Sequence, residues 1–291
     1  MDNGIHYHFG INFNPINIKL MIEVKDLKKS FGDVEVLKGI STSFDKGKVN
    51  LIIGQSGSGK TVFLKSLLNV YMPSSGEILF DGHDINTMNR DEKQHLRSEI
   101  GTLFQGSALF DSLTVEENIM FPLDMFTNLT YREKKKRVFE VIGRVHLDKA
   151  DKKYPSEISG GMQKRVAIAR AIVNNPKYLF CDEPNSGLDP YTSKVIDDLL
   201  YEITKEYNTT TIINTHDMNS VMTIGEKIVY LRLGIKEWEG NKDILITAGN
   251  KNLIDFVYSS ELFKELREYL LENNKTIENT TTKIDDNEKG T

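Results

Sequence analysis

The run "GQSGSGKT" (Gly54 to Thr61) places a lysine and a threonine at the end of a glycine-rich stretch. It follows the apolar segment "VNLII" and precedes "VFLKSLLNV", which is patterned like a helix. Strand, glycine-rich loop, helix is the order that lets successive backbone N–H groups point at phosphate oxygens. Gly54, Gly57 and Gly59 free the backbone to curl, with Gln55, Ser56 and Ser58 between them. The helix start adds its partial positive charge. Lys60 can then reach the outer phosphates of a nucleotide, and the Thr61 hydroxyl can hold Mg²⁺. Average residue frequencies produce this spacing by chance in roughly one chain in a hundred of this length. A purely structural glycine turn is therefore the weaker reading.

A loop of this kind needs a metal partner and a group that activates water. "YLFCDEP" supplies both candidates. Asp182 closes an apolar strand and is expected beside the phosphate loop, facing Mg²⁺ through water. Glu183 is the candidate general base for the attacking water. An Asp-Glu pair is ordinarily surface charge; this one follows four apolar residues and precedes Pro184, which turns the chain. Cys181 reads as a small core residue. His216 ends the strand-like "TIINTHD", and parallel order would bring it to the same rim of the sheet, within reach of a γ-phosphate. A second anion-binding helix start appears in "ISGGMQKRVAIARAIVNNP", where Ser159, Gly160 and Gly161 open a helix with Val166, Ala169, Ile172 and Val173 on its apolar face. Two anion sites per chain make sense if the second completes the site of another chain.

The elements that must position these residues alternate along the sequence. Met21 to Phe31 reads as a strand, "GISTSFDKGKVNLIIG" as strand, turn and strand, and "GEILFDGHDI" as a strand with a turn at Asp81-Gly82. From about Asp91 to Lys153 the pattern is helical; Val138, Val141, Ile142 and Val145 fall on one stripe, and the basic run from Lys134 to Arg137 reads as a solvated face. "KYLFCDEP" is a buried strand, "SKVIDDLLYEITKEY" an amphipathic helix, "TTTIINTHD" a strand and "KIVYLRLGIKEWEG" a hairpin. Such alternation predicts an α/β core with a parallel sheet. "SSELFKELREYLL" forms a last stripe of Leu262, Phe263, Leu266 and Leu270, with Ser259 or Ser260 as cap. Residues 1–20, including His6 and His8, read as a disordered leader or a misassigned start, and residues 272–291 as a disordered tail.

The chain has 291 residues, a formal net charge of −5 and a single cysteine. No apolar run approaches the roughly 18 residues that span a bilayer, so a membrane role must come through a partner. One cysteine cannot form an internal disulfide, which fits a reducing compartment. The acidic balance argues against a nucleic-acid partner.

Taken together, "KSFGD", "GQSGSGKT", Gln105, "SGGM", "LFCDEP", "SGLDP" and "NTHD", in this order, resemble the ATP-binding-cassette ATPases over about Met21 to Gly240. The resemblance implies a P-loop NTPase: an α/β fold with a RecA-like core, an N-terminal antiparallel β subdomain and an α-helical subdomain at about 106–160. The domain would run over 21–245, with a helical extension at 246–271. ATP and Mg²⁺ would be the ligands. Phe31 would stack on adenine, Gln105 would join Thr61 and Asp182 at the metal, and a head-to-tail homodimer would sandwich two nucleotides. Each nucleotide would lie between one phosphate loop and the other chain's Ser159, Gly160, Gly161 and Met162, with Asp189 linking the two sites. Ile158 and Met162 depart from the commoner Leu and Gln; Met162 loses an amide, while the backbone donors remain.

The segment "FQGSALFDSLTVEENIMFPL" (Phe104 to Leu123) with "SGGMQKR" looks like the ATPase subunits of Mla-type transporters. That implies a separate integral membrane permease docking near Gln105–Leu123, with Leu109 and Phe110 at the contact and Val115 and Ile119 in the core. It also implies an MCE-domain lipid-binding protein, phospholipid transport, and a place on the cytoplasmic side of the inner membrane. Another ABC importer, for instance of amino acids, is the rival reading. A non-transport ATPase is disfavoured by the acidic charge and apolar groove, and a regulator without turnover by Glu183.

Overall fold

Two sheets carry the chain. The computed structural model describes residues 21–259 and, beyond them, 261, 263–265, 267–269 and 271. The expected leader with His6 and His8, the expected tail, and Ser260, Leu262, Leu266 and Leu270 lie outside the described residues.

The first sheet is antiparallel. It is built from β1 (Met21–Phe31), β2 (Val34–Asp45), β4 (Ser75–Phe80) and β5 (His83–Asp84), in the order β2-β1-β4-β5. Its β4–β5 connection turns at Asp81 and Gly82, both at positive φ (49° and 84°), the conformation that a tight hairpin turn requires. Between β2 and β4 lie β3 (Val49–Ile53) and α1 (Lys60–Leu67).

The second sheet has the order β10-β9-β3-β8-β7-β6. Its strands are β3, β6 (Ile100–Leu103), β7 (Tyr178–Asp182), β8 (Thr210–Thr215), β9 (Lys227–Arg232) and β10 (Ile235–Gly240). All pair in parallel except the β9–β10 hairpin. Every residue of β3, β7 and β8 is buried, which is why these strands read as apolar or β-branched runs without alternation, interrupted by Asn50, Asp182 and Asn214.

Helices cover this sheet. They are α2 (Arg90–Ser98), α3 (Val115–Phe126), α4 (Tyr131–Arg144), α5 (Gly160–Ile172), α6 (Pro190–Tyr207) and α7 (Met218–Ile224), followed by the short α8 (Lys242–Leu245) and α9 (Lys251–Val257). The starts of α2, α3 and α4 are capping boxes, pairing Asn89 with Glu92, Thr114 with Glu117 and Thr130 with Glu133. Each such cap is worth about 1 kcal/mol and fixes where the helix begins. The core divides in two. One cluster joins α1 and the antiparallel sheet, including Phe44 and Phe63; the other joins the parallel sheet to α3–α7, including Val141, Val166 and Ile196.

Two expectations change. The stretch from Asp91 to Lys153 is not helical throughout: Ile100–Leu103 is an edge strand paired with β7. Four residues are too few for a period to declare itself. The basic run of α4 is more than a solvated face. Lys134 pairs with Asp124 at 2.8 Å and Lys135 with the buried Glu116 at 3.3 Å. Arg137 donates to the Val173 carbonyl at 2.9 Å, at the C-terminal end of α5.

Candidate functional site

Three buried strands end at one rim. In the pairing register Ile53 of β3 faces Thr215 of β8, and Asn214 of β8 faces Asp182 of β7. The residues that follow, Gly54, Glu183 and His216, therefore leave the sheet side by side. Strand β8 lies between the phosphate-loop strand and β7, while the Asp182 carboxylate still acts on Lys60 of the loop. Asn214 of β8 donates from Nδ2 to Asp182 Oδ1 at 3.1 Å.

The loop after β3 wraps tightly. Gly54 has φ 152° and lies so close to the Leu231 carbonyl that a Cβ there would fall 2.2 Å from its oxygen. Any side chain at this position would collide with backbone. Lys60 is 8% exposed and donates from Nζ to the carbonyls of Gly54 at 2.7 Å and Gln55 at 3.2 Å. Burial lowers the pKa of its ammonium, while the charges of Glu183 and Asp182 oppose that shift. Ser58 Oγ is buried and has no hydrogen-bond partner among the described residues. A buried hydroxyl without a partner is costly. The ammonium and the N–H groups at the α1 start fit an anion with several oxygens, whereas Ser58 does not line the cavity that Gly59, Lys60 and Thr61 share.

Glu183 adopts φ 50°, a left-handed conformation that non-glycine residues rarely hold and that recurs at functional sites. Its N–H donates to the Asn214 carbonyl at 3.0 Å. Its carboxylate Oε2 lies 2.8 Å from His216 Nδ1. A cavity of about 730 Å³ opens here, lined by Gln55, Ser56, Gly57, Gly59, Lys60, Thr61, Gln105, Glu183 and His216. Residues the sequence did not assign to this site also line it: Val36, Met218 and, from the far end of the chain, Asp255, Phe256 and Ser259, the last read only as a helix cap. No local spacing could have pointed to residues almost 200 positions from the loop. Among the described residues, no three His, Cys, Asp or Glu side chains gather to hold a metal. A cation here would be held by mixed oxygen donors, Thr61, Gln105 and Asp182, with the ligand's own oxygens, as Mg²⁺ commonly is.

The second predicted anion site stands apart. Ser159 caps α5, its Oγ accepting from the Met162 N–H at 3.3 Å. Ser159 and Gly160 are exposed. Gly161 abuts α6, where a Cβ would fall 2.7 Å from Thr192 Cγ2. Met162 is partly buried against the core, and none of these residues lines the 730 Å³ cavity. Asp189 is exposed and caps α6, Oδ1 accepting from the Thr192 N–H at 3.0 Å. Its bonds to Thr192 hold its carboxyl below the usual range. Phe31 ends β1, 43% exposed and edge-on to Tyr71 at 5.2 Å, outside the cavity wall.

The Gln105 segment forms a loop pinned to α5. Lys164 Nζ donates to the Gln105 carbonyl at 2.5 Å, and Arg170 donates to the carbonyls of Ser107 and Ala108, both at 2.7 Å. Ser107 and Ala108 have positive φ (62° and 46°). Neither cation was singled out in the sequence, since "QKRVAIAR" reads as an ordinary polar helix face. Beyond the loop an apolar groove of about 400 Å³ is lined by Phe104, Phe110, Phe121, Pro122, Met125 and Phe126. Phe110 is 42% exposed and packs on Phe121 at 4.8 Å; Leu109 is partly buried, and Val115 and Ile119 are core.

The model of the family described as ABC transporter matches residues 37–186. The chain is 38% identical over 227 residues to the probable ribonucleotide transport ATP-binding protein mkl of Mycobacterium leprae (strain TN), covering 78% of this chain and 65% of that protein. It thus spans a little under two thirds of that relative's length. It is 37% identical over 262 residues to the methionine import ATP-binding protein MetN of Bacillus subtilis (strain 168), covering 87% of this chain and 76% of MetN. The ATP-binding cassette MJ0796, solved as a dimer in a post-hydrolysis state bound to ADP and Pi, superposes with a TM-score of 0.70 at 33% identity, covering 76% of this chain and 98% of the cassette.

Proposed function

The chain belongs to the ABC transporter family, and on that premise we propose that it binds and hydrolyses ATP to drive a separate membrane permease. One observation carries the reading: Lys60, Glu183 and His216, far apart in sequence, line one cavity at the ends of parallel strands. Lys60 and the N–H groups of Gly54–Thr61 hold the phosphates. Glu183 takes a proton from the attacking water, and His216, bonded to that carboxylate, orients it and contacts the γ-phosphate. Mg²⁺, when bound, neutralises charge on the phosphate oxygens, and Thr61, Gln105 and Asp182 are the donors that would hold it. Phe31 stacks on the adenine.

Because Ser159–Met162 lie outside their own chain's phosphate cavity, the working unit is a head-to-tail homodimer. In it these residues complete the partner's site and Asp189 bridges the two. The apolar groove beside Gln105 takes the permease, which holds the subunit at the cytoplasmic side of the inner membrane. The cargo is phospholipid, moved between membranes of the envelope with an MCE-domain protein; the segment from Phe104 to Leu123 supports this. A second reading, import of an amino acid, is favoured by the likeness to MetN.

Purified protein should hydrolyse ATP in a Mg²⁺-dependent way; absence of turnover under saturating ATP would refute the reading. To separate the cargoes, the subunit is purified with its permease and reconstituted in vesicles. Phospholipid movement that requires ATP supports the first, and methionine uptake without lipid movement the second.

A further inference from the structure

Behind the Glu183–His216 pair lies another cavity, of about 700 Å³, between the loop after β7 and helices α6 and α7. Asp197 of α6 lines it and is only 4% exposed. Its Oδ2 accepts from Ser220 Oγ at 2.7 Å and its Oδ1 from Asn185 Nδ2 at 2.8 Å. Asn185 Nδ2 also lies 3.0 Å from Ser220 Oγ, so the three side chains close a triangle. Asn185 stands two residues after Glu183, and Ser220 four after His216.

Among the described residues this carboxylate has no cationic partner. Lys194, which also lines the cavity, pairs with Asp198 at 2.6 Å. A charge buried on neutral donors alone is an expensive way to fill a helix face, particularly beside the buried Ile196 and Leu200. Its bonds go to the two segments that flank the reacting pair.

The geometry points to Asp197 as a positioning residue for the proposed hydrolysis: with Asn185 and Ser220 it fixes the Glu183–Asp189 loop against the helix after His216, and so keeps Glu183 Oε2 at His216 Nδ1. This inference rests on the ATPase reading. The groups facing Asp197 are Asp198 and Lys194 on its own helix, Asp217 at the cap of α7, and Glu183 and His216 across the cavity. Burial pushes its carboxyl up to about 6, with smaller upward contributions from Asp217 and Asp198, against the lowering bonds to Ser220 and Asn185. Raised above the ordinary aspartate value, the group takes up a proton as pH falls through that range. Protonation turns an acceptor oxygen into a donor, and the triangle must rearrange.

The test compares full-length parent, Asp197→Asn and Ser220→Ala in ATP turnover between about pH 5 and 8, alongside affinity for a fluorescent ATP analogue and Tm. Asp197→Asn should lower kcat by roughly 10- to 100-fold, the scale at which misplacing a catalytic group is felt, with KM and analogue affinity unchanged and a flatter acid limb. Ser220→Ala should shift kcat the same way by less, and it serves if the first variant does not fold. Parent-like kcat and pH profile in either variant, or losses that simply follow nucleotide affinity and Tm, overturn the inference. A parent that never hydrolyses ATP overturns the ATPase reading itself; an active parent matched by Asp197→Asn overturns only the role of Asp197.

Discussion

Lys60 shows how much one side chain contributes to this site. Its ammonium is buried, rests on two carbonyls of its own loop and feels two carboxylates. It is thus held ready for an anion. Lys60→Ala should weaken nucleotide binding by about 3 kcal/mol, the worth of a preorganised charged donor; titration with a fluorescent nucleotide checks this. Glu183→Gln keeps the shape and removes the proposed base. Its turnover should fall by roughly 10²- to 10⁴-fold with nucleotide affinity intact, measured by phosphate release. Burial pushes the Cys181 thiol well above its usual pKa, so a thiol reagent should leave it unmodified in the native protein and label it after denaturation. The chemistry-bearing residues were legible because their roles demand fixed types at fixed local spacing. Asn214, Lys164 and Asp197 were not. Each acts through a partner far away in the chain, and nothing in "TIINT", "QKRV" or "VIDDLL" announces that partner.

At the scale of elements, the loop from Gln105 to Phe110 is fastened to α5 by Lys164 and Arg170, so groove and α5 should move as one body. Phe110→Asp puts a carboxylate into the apolar groove. It should abolish co-purification with the permease while leaving ATP affinity unchanged, because desolvating that charge at an interface costs several kcal/mol. Helix α3 offers a pH test. Glu116 is buried and bonded to Lys152 at 2.6 Å and Lys135 at 3.3 Å. These partners hold its carboxyl below the usual range against the opposing effect of burial. A depressed carboxyl stabilises the fold above its unfolded pKa, and that contribution is lost as pH falls through the lower folded value. Glu116→Gln should cost about 1 kcal/mol at neutral pH, or roughly 2–4 °C in Tm, since both lysines are solvated. The difference should vanish in acid, as thermal melts will show. Helices with long stripes, such as α4, were readable from period alone. Strand β6 was not, because its four residues gain their conformation from β7 rather than from any local preference.

For the whole molecule, the separation between the phosphate cavity and Ser159–Met162 is what the proposed sandwich needs, in which one chain carries halves of two different sites. Glu183→Gln with ATP and Mg²⁺ should double the apparent mass by light scattering, and Lys60→Ala under the same conditions should stay at the mass of one chain. A monomer in both cases would refute the sandwich. The interposition of β8 between β3 and β7 has a consequence in time. The strand that joins the two halves of the reacting centre begins at Thr210, after both of its neighbours have been synthesised. A nascent chain therefore carries its phosphate loop for some 150 residues before β8 can join β3 to β7, and β9 and β10 must still follow. Such long-range pairing is slow, and nucleotide that binds only the finished sheet would act as a late clasp, making protease resistance in the presence of ATP a clock for the last step of folding.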